Sequence, residues 1–157
     1  MKKAALILIV MLPALAVMAW AADAPRAETD APGGVTAARF AVLDVFIDAG
    51  TTPLAAYEFE FSAKEGKVDL VGIERGDDAN FQDPPYYDPA ALAQDRAIVG
   101  AFSLAERLPM GKTRVAQLHV RIGAGVQPKY DVKLRAAGSR EGQAVPAEVT
   151  ITEGVSR

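Results

Sequence analysis

Four acidic side chains, Asp77, Asp78, Asp83 and Asp88, stand close together in the sequence with Asn80 among them. An oxygen-rich set of this kind is what a hard cation such as calcium accepts. The spacing is not that of an EF-hand, because the run that starts at Asp77 has no glycine at its sixth position and no glutamate at its twelfth. A metal on Asp77, Asp78 and Asp83 is therefore an option beside the plainer reading, carboxylates solvated on a loop, which we favour. No cofactor is expected; calcium remains the one alternative.

The same stretch carries Phe81, Tyr86 and Tyr87 between prolines. Pro-flanked aromatics in a loop suit recognition, and tyrosine suits an interface because one end is apolar and the other wet. Two readings stay open: the three form an exposed binding patch, or the loop folds back and uses them to close one end of the domain.

Catalytic chemistry finds little to work with. His119 is the single histidine, and it falls on the polar side of an alternating run with no nucleophile assignable to it. Glu58 and Glu60 are two apart on one run, which places them side by side at about 7 Å rather than facing each other across a cleft as glycosidase carboxylates do. No phosphate-cradling glycine loop, G-x-S-x-G elbow or H-E-x-x-H helix occurs. With no cysteine there is no thiolate nucleophile, thiolate metal site, disulfide framework or lipidation site. The reading is a protein that binds rather than an enzyme.

The elements that must carry these residues are short alternating runs separated by Gly, Pro and Asp clusters, the pattern of an all-β, antiparallel β-sandwich. In residues 39–48, Ala41, Leu43, Val45 and Ile47 line one face, while Phe40, Val42 and Phe46 make the other apolar too, as in a strand buried on both sides. Residues 54–62 alternate Tyr57, Phe59 and Phe61 with Glu58 and Glu60. Residues 68–74 follow a charged turn, with Gly72 as a candidate bulge. The acidic, proline-bearing stretch 76–94 is read as a long functional loop containing a helical turn after Asp88. Residues 96–104 and 112–122 return to strand, the latter with Ala116, Leu118, Val120 and Ile122 inward. Two further strands hold Tyr130, Val132 and Leu134, then Ala147, Val149 and Ile151. Seven or eight strands with no amphipathic helix favour a sandwich or jelly roll over a βαβ sheet.

The first residues have the layout of a secretory signal peptide: Lys2 and Lys3, an apolar run to Trp20, and small residues giving an A-x-A site at Ala19 and Ala21. Cleavage after Ala21 predicts a signal peptide at 1–21, a disordered spacer at 22–36 and one domain at 37–153, periplasmic or secreted. It removes two of the 17 basic residues and none of the 20 acidic ones, so the formal charge moves from −3 to −5. Such a chain has no basic face for nucleic acid. No membrane association is expected after cleavage. The only tryptophan, Trp20, lies in the signal, which weakens a carbohydrate-binding reading because tryptophan stacks best on sugar rings.

The order of the strands resembles that of the cohesin domain and its cohesin-like relatives. The likeness is carried by Val45-Phe46-Ile47-Asp48, Pro53 through Phe61, Val68 through Ile73, Arg96 through Phe102, and Met110-Gly111-Lys112 with Val115 through Ile122, across residues 38–152. It implies a nine-stranded jelly-roll sandwich and protein–protein interaction. Cohesins of scaffold proteins hold calcium-loaded dockerin modules of secreted enzymes. Here the domain stands alone with no dockerin-like repeat or cell-wall anchor, so the resemblance carries over the fold and a protein partner of unknown identity, but no contact residues. A polysaccharide ligand and an accessory role in a cell-envelope assembly are the alternatives.

Overall fold

A computed structural model describes residues 37–81, 85–92 and 96–154. The segments read as signal peptide and spacer, and Asp83, lie outside the described residues. Eight strands and one helical turn follow in order: β1 (Arg39–Asp48), β2 (Ala56–Glu65), β3 (Val68–Arg75), β4 (Tyr86–Tyr87), α1 (Pro89–Leu92), β5 (Arg96–Phe102), β6 (Lys112–Ile122), β7 (Lys129–Gly138) and β8 (Glu148–Glu153). They form two four-stranded sheets, β3-β6-β1-β8 and β4-β5-β2-β7, in which every ladder is antiparallel. The fold is the all-β antiparallel sandwich expected from the alternation, with eight strands among the described residues where the family resemblance implied nine.

The alternating residues explain the layers. Ala41, Leu43, Val45 and Ile47 of β1 and Leu118, Val120 and Ile122 of β6 face Tyr57, Phe59 and Phe61 of β2 and Val99 of β5, and all are buried. Phe59, Leu43, Leu118 and Ile122 are among the largest fully enclosed side chains. Each contributes about 1.5–3 kcal/mol by leaving water, in a chain that has no cysteine to form a disulfide. The Tyr57 hydroxyl crosses between the layers and donates to the Val115 carbonyl at 2.9 Å. Burial pushes its phenol well above the ordinary tyrosine range.

The structure refines three of these readings. The first strand is buried on one face only: Phe40 is 71 % exposed, and Val42 and Phe46 are half-buried, because among the described residues no further layer lies outside the β3-β6-β1-β8 sheet. Phe46 is partly covered by Lys112, whose Nζ stands 4.8 Å from the ring centroid. The second strand runs through Glu65 into the charged turn, since Ala63 and Glu65 still pair with Tyr130 and Lys129 of β7. The stretch 76–94 is not strand-free, because Tyr86 and Tyr87 pair with Gly100 and Val99 as a short edge strand. Its helical turn is α1, capped by the Asp88 carboxylate, which accepts from the Ala90 amide at 2.9 Å.

Two bulges matter for the outer surfaces. In β3 the ladder skips Val71, next to the Gly72 singled out above, and turns this valine outward at 55 % exposure. In β6, Val115 is the extra residue; it and Ala116 are both buried, which leaves Arg114 pointing out of the sheet. At the far side of the same sheet β8 is an edge strand. It pairs with β1 from Leu43↔Glu153 to Asp48↔Glu148, and Arg39 Nη1 is ion-paired to Glu153 at 2.5 Å.

Candidate interaction surfaces

The segment after β3 is laid directly on β6. The Gly76 amide donates to the Val115 carbonyl at 3.0 Å, and a Cβ built on Gly76 would stand 1.7 Å from the Arg114 carbonyl oxygen, so only glycine allows this approach. Asp77, the next residue, is thereby delivered to the Arg114 guanidinium. The Asp78 carboxylate accepts from the Asn80 amide at 2.8 Å and from its side-chain nitrogen at 2.6 Å, while the Asp78 carbonyl accepts from the Phe81 amide at 3.1 Å. This Asx-type turn reverses the chain. It swings Phe81 inward to 3 % exposure, edge-on to Tyr57 with ring centroids 5.3 Å apart.

The loop therefore divides the residues singled out in its sequence. Phe81 is a core residue, whereas Tyr86 and Tyr87 remain on the surface at 73 % and 45 % exposure. Of the suggested metal set, Asp77 is ion-paired, Asp78 holds a turn, and Asp83 is outside the described residues. Among the described residues no three His, Cys, Asp or Glu side chains gather as a cation would require.

Tyr86 belongs to a larger feature. On the outer face of β4-β5-β2-β7 it stands opposite Gly100, and Phe102, two residues further along β5, points the same way. Phe102 is 73 % exposed and Leu104, just beyond the strand, is 83 % exposed. With Asn80 and Ala105 these residues border an open depression of about 790 Å³, floored where Gly100 has no side chain. Along the same face toward the other end of β2 the surface turns ionic. Glu58 meets Arg135 at 3.1 Å, and Glu60 lies 3.3 Å from Arg96 and 3.7 Å from Arg135. The two glutamates are thus side by side and engaged with arginines.

The outer face of the other sheet holds a second open groove, of about 810 Å³. Arg114 is its centre: Nη1 donates to Asp44 Oδ1 at 2.8 Å and Nη2 to Asp77, and Gln117 Nε2 also donates to Asp44 Oδ1 at 2.8 Å. The hydrogen bond to Asp77 first, and the one to Asp44 with it, push the guanidinium above its already high range. His119 stands opposite Val42 on one side and Gly72 on the other. Its Nε2 lies 3.3 Å from Glu74 Oε1 without hydrogen-bond alignment. Phe40 and Val71 form apolar borders.

Reasoning from sequence singled out neither depression. A strand ending in two outward apolar residues, Phe102 and Leu104, is a signal that would have located the first. The second had none, since Asp44, Asp77 and Arg114 meet only through the fold.

No family model matches the chain, and no curated protein matches it. Among solved structures it is similar to a chain of the CaDoc0917–CaCohA2 complex, a cohesin–dockerin pair, with a TM-score of 0.56 at 10% sequence identity over 71% of this chain and 84% of that one. At this identity the likeness is one of architecture, and that architecture is a cohesin-like β-sandwich.

Proposed function

We propose that the chain is an exported, non-catalytic module that binds a protein partner through the apolar end of the β4-β5-β2-β7 outer face. The observation that carries this reading is the cluster of Tyr86, Phe102 and Leu104, each nearly three-quarters exposed or more, around one depression. Isolated exposed apolar residues are ordinary, but three large ones bordering a common hollow, with ion pairs further along the face, have the anatomy of an interface centre and rim. Support also comes from the fold, which resembles that of a protein solved in a protein complex. The non-catalytic part rests on Glu58, Glu60 and Asp77 being engaged with arginines and Asp78 with a turn rather than converging with His119 on a reacting position. Export is the reading supported by the Lys2-Lys3 start, the apolar run and the A-x-A site, with a periplasm or the outside of the cell as the destination it implies.

The test is affinity capture from envelope and culture fluid with the chain from Ala22 as bait. A second bait carries Phe102→Asp and Leu104→Asp. We expect one protein held by the first and lost from the second, with both baits melting alike because neither position is in the core. Equal capture by both baits would move the contact elsewhere and sink the assignment of this face.

A further inference from the structure

The geometry points to a second ligand site: the groove on the outer face of β3-β6-β1-β8 takes a neutral saccharide chain. Three buried side-chain polar atoms lack a hydrogen-bond partner among the described residues, and two of them, Arg114 Nε and His119 Nε2, belong to residues that line this groove. Neither nitrogen is itself open to the groove, but the side chains that carry them are partly exposed, at 22 % and 34 %, so a ligand would meet their remaining edges. The polar side chains it would meet are already fixed in position. Arg114 is braced by Asp44 and Asp77, and Gln117 is tied to Asp44. The floor is preorganised by these contacts rather than left to be ordered by a ligand.

The chemistry of the lining selects the class. Asp44 and Asp77 present carboxylate oxygens, Gln117 an amide that both donates and accepts, and Arg114 and His119 nitrogens. A sugar hydroxyl both donates and accepts and so can satisfy this alternation. Ions fit less well. The two carboxylates more than cancel Arg114, which disfavours phosphate, sulfate and uronate, while the arginine in the centre disfavours a cation. Phe40, 71 % exposed, and Val71, 55 % exposed, supply apolar surface for the C–H face of a pyranose ring. Gly72 stands opposite His119 and brings no side chain over it, while Glu74, two residues on, holds Oε1 3.3 Å from the imidazole Nε2. The volume, about 810 Å³, lies in the range of small-molecule sites. This site is on the opposite sheet from the protein-binding face and does not depend on it. A chain with both would tether a protein to a polysaccharide.

The test uses the chain from Ala22 on an array of neutral glucans, mannans, xylans, galactans and chitin fragments, beside heparin and polyuronates. Phe40→Ala, Gln117→Ala and Phe102→Ala variants are run in parallel, each checked for an unchanged unfolding profile. We expect binding to a neutral class, weakened about tenfold in Phe40→Ala and in Gln117→Ala, the loss of one ring contact or of one hydrogen-bonding group. Phe102→Ala, on the other sheet, binds as the parent does. No binding to any neutral glycan, binding confined to the polyanions, or undiminished binding in both groove variants would each overturn the proposal. A peptide that binds in the groove while every glycan fails would replace it.

Discussion

Tyr57 is the residue on which the two layers meet. Its ring packs among Phe59 and Phe81, and its hydroxyl reaches a carbonyl of the opposite sheet. Tyr57→Phe keeps the ring and removes the bond, so we expect a loss of about 1 kcal/mol, read as a drop of a few degrees in Tm. Its pH dependence has a definite sign. The folded phenol stays protonated where the unfolded one ionises, so the unfolded chain binds fewer protons above about pH 10 and stability falls as pH rises past that point. A thermal melt series from pH 8 to 11 should show a steeper decline for the parent than for Tyr57→Phe; parallel declines would mean that this hydroxyl does not govern the alkaline limb. Asp69 and Asp131 act at the other end of the scale. Hydrogen bonds from Arg121 and Lys64 hold both below the usual carboxylate range, and whatever they contribute is present at neutral pH and lost as acid protonates them. Both are surface groups on flexible partners, so this contribution is small.

At the scale of the element, the segment between β3 and β5 divides the labour of its aromatics. Phe81→Ala should cost about 3–5 kcal/mol, since it empties a core position against Tyr57, whereas Tyr86→Ala should change stability by no more than about 0.5 kcal/mol. Denaturant unfolding of the two variants checks this, and similar losses in both would mean that Tyr86 packs more closely than its exposure implies. The strands themselves were legible in the sequence because alternation is a local property: Tyr57, Phe59 and Phe61 against Glu58 and Glu60 dictate which side of β2 faces inward. The inward direction of Phe81 was not legible, because it depends on the Asp78 turn and on Gly76 lying against β6, contacts between segments distant in sequence. The outward apolar residues of β1 misled for a related reason. Composition alone cannot distinguish a second buried face from a wall of an open groove, and Phe40 and Val42 are the latter. The Arg114 cluster lay furthest out of reach, since Asp44 and Arg114 are 70 positions apart.

At the scale of the whole molecule, the chain changes sheet at nearly every connection, and among the described residues only β4 and β5 are consecutive strands paired in one sheet. Leu43 pairs with Leu118, Val45 with Ile151 and Phe59 with Val99, so almost no ladder can form before distant segments meet. We expect refolding from denaturant on the millisecond-to-second scale, as for other sandwiches of non-local pairing; a microsecond phase carrying the full amplitude in stopped-flow or temperature-jump fluorescence would contradict this. The long edge of β7 carries Lys129, Lys133 and Arg135, charges that discourage a second molecule from adding to it while folding is still in progress.

The pairing of β1 with β8 has a mechanical meaning. Arg39 begins the first strand, Glu153 ends the last, and the two are joined by an ion pair, so the first and last strands are adjacent and antiparallel, with β1 inside the sheet and β8 at its edge. A pull on the two flanks acts along the hydrogen bonds of that ladder and opens them one pair at a time, like a zip, instead of straining them all together as a pull along the strand axes would. β8, an edge strand with β1 as its one ladder neighbour, peels first. Such a domain is poorly built to serve as a link in a cable under tension.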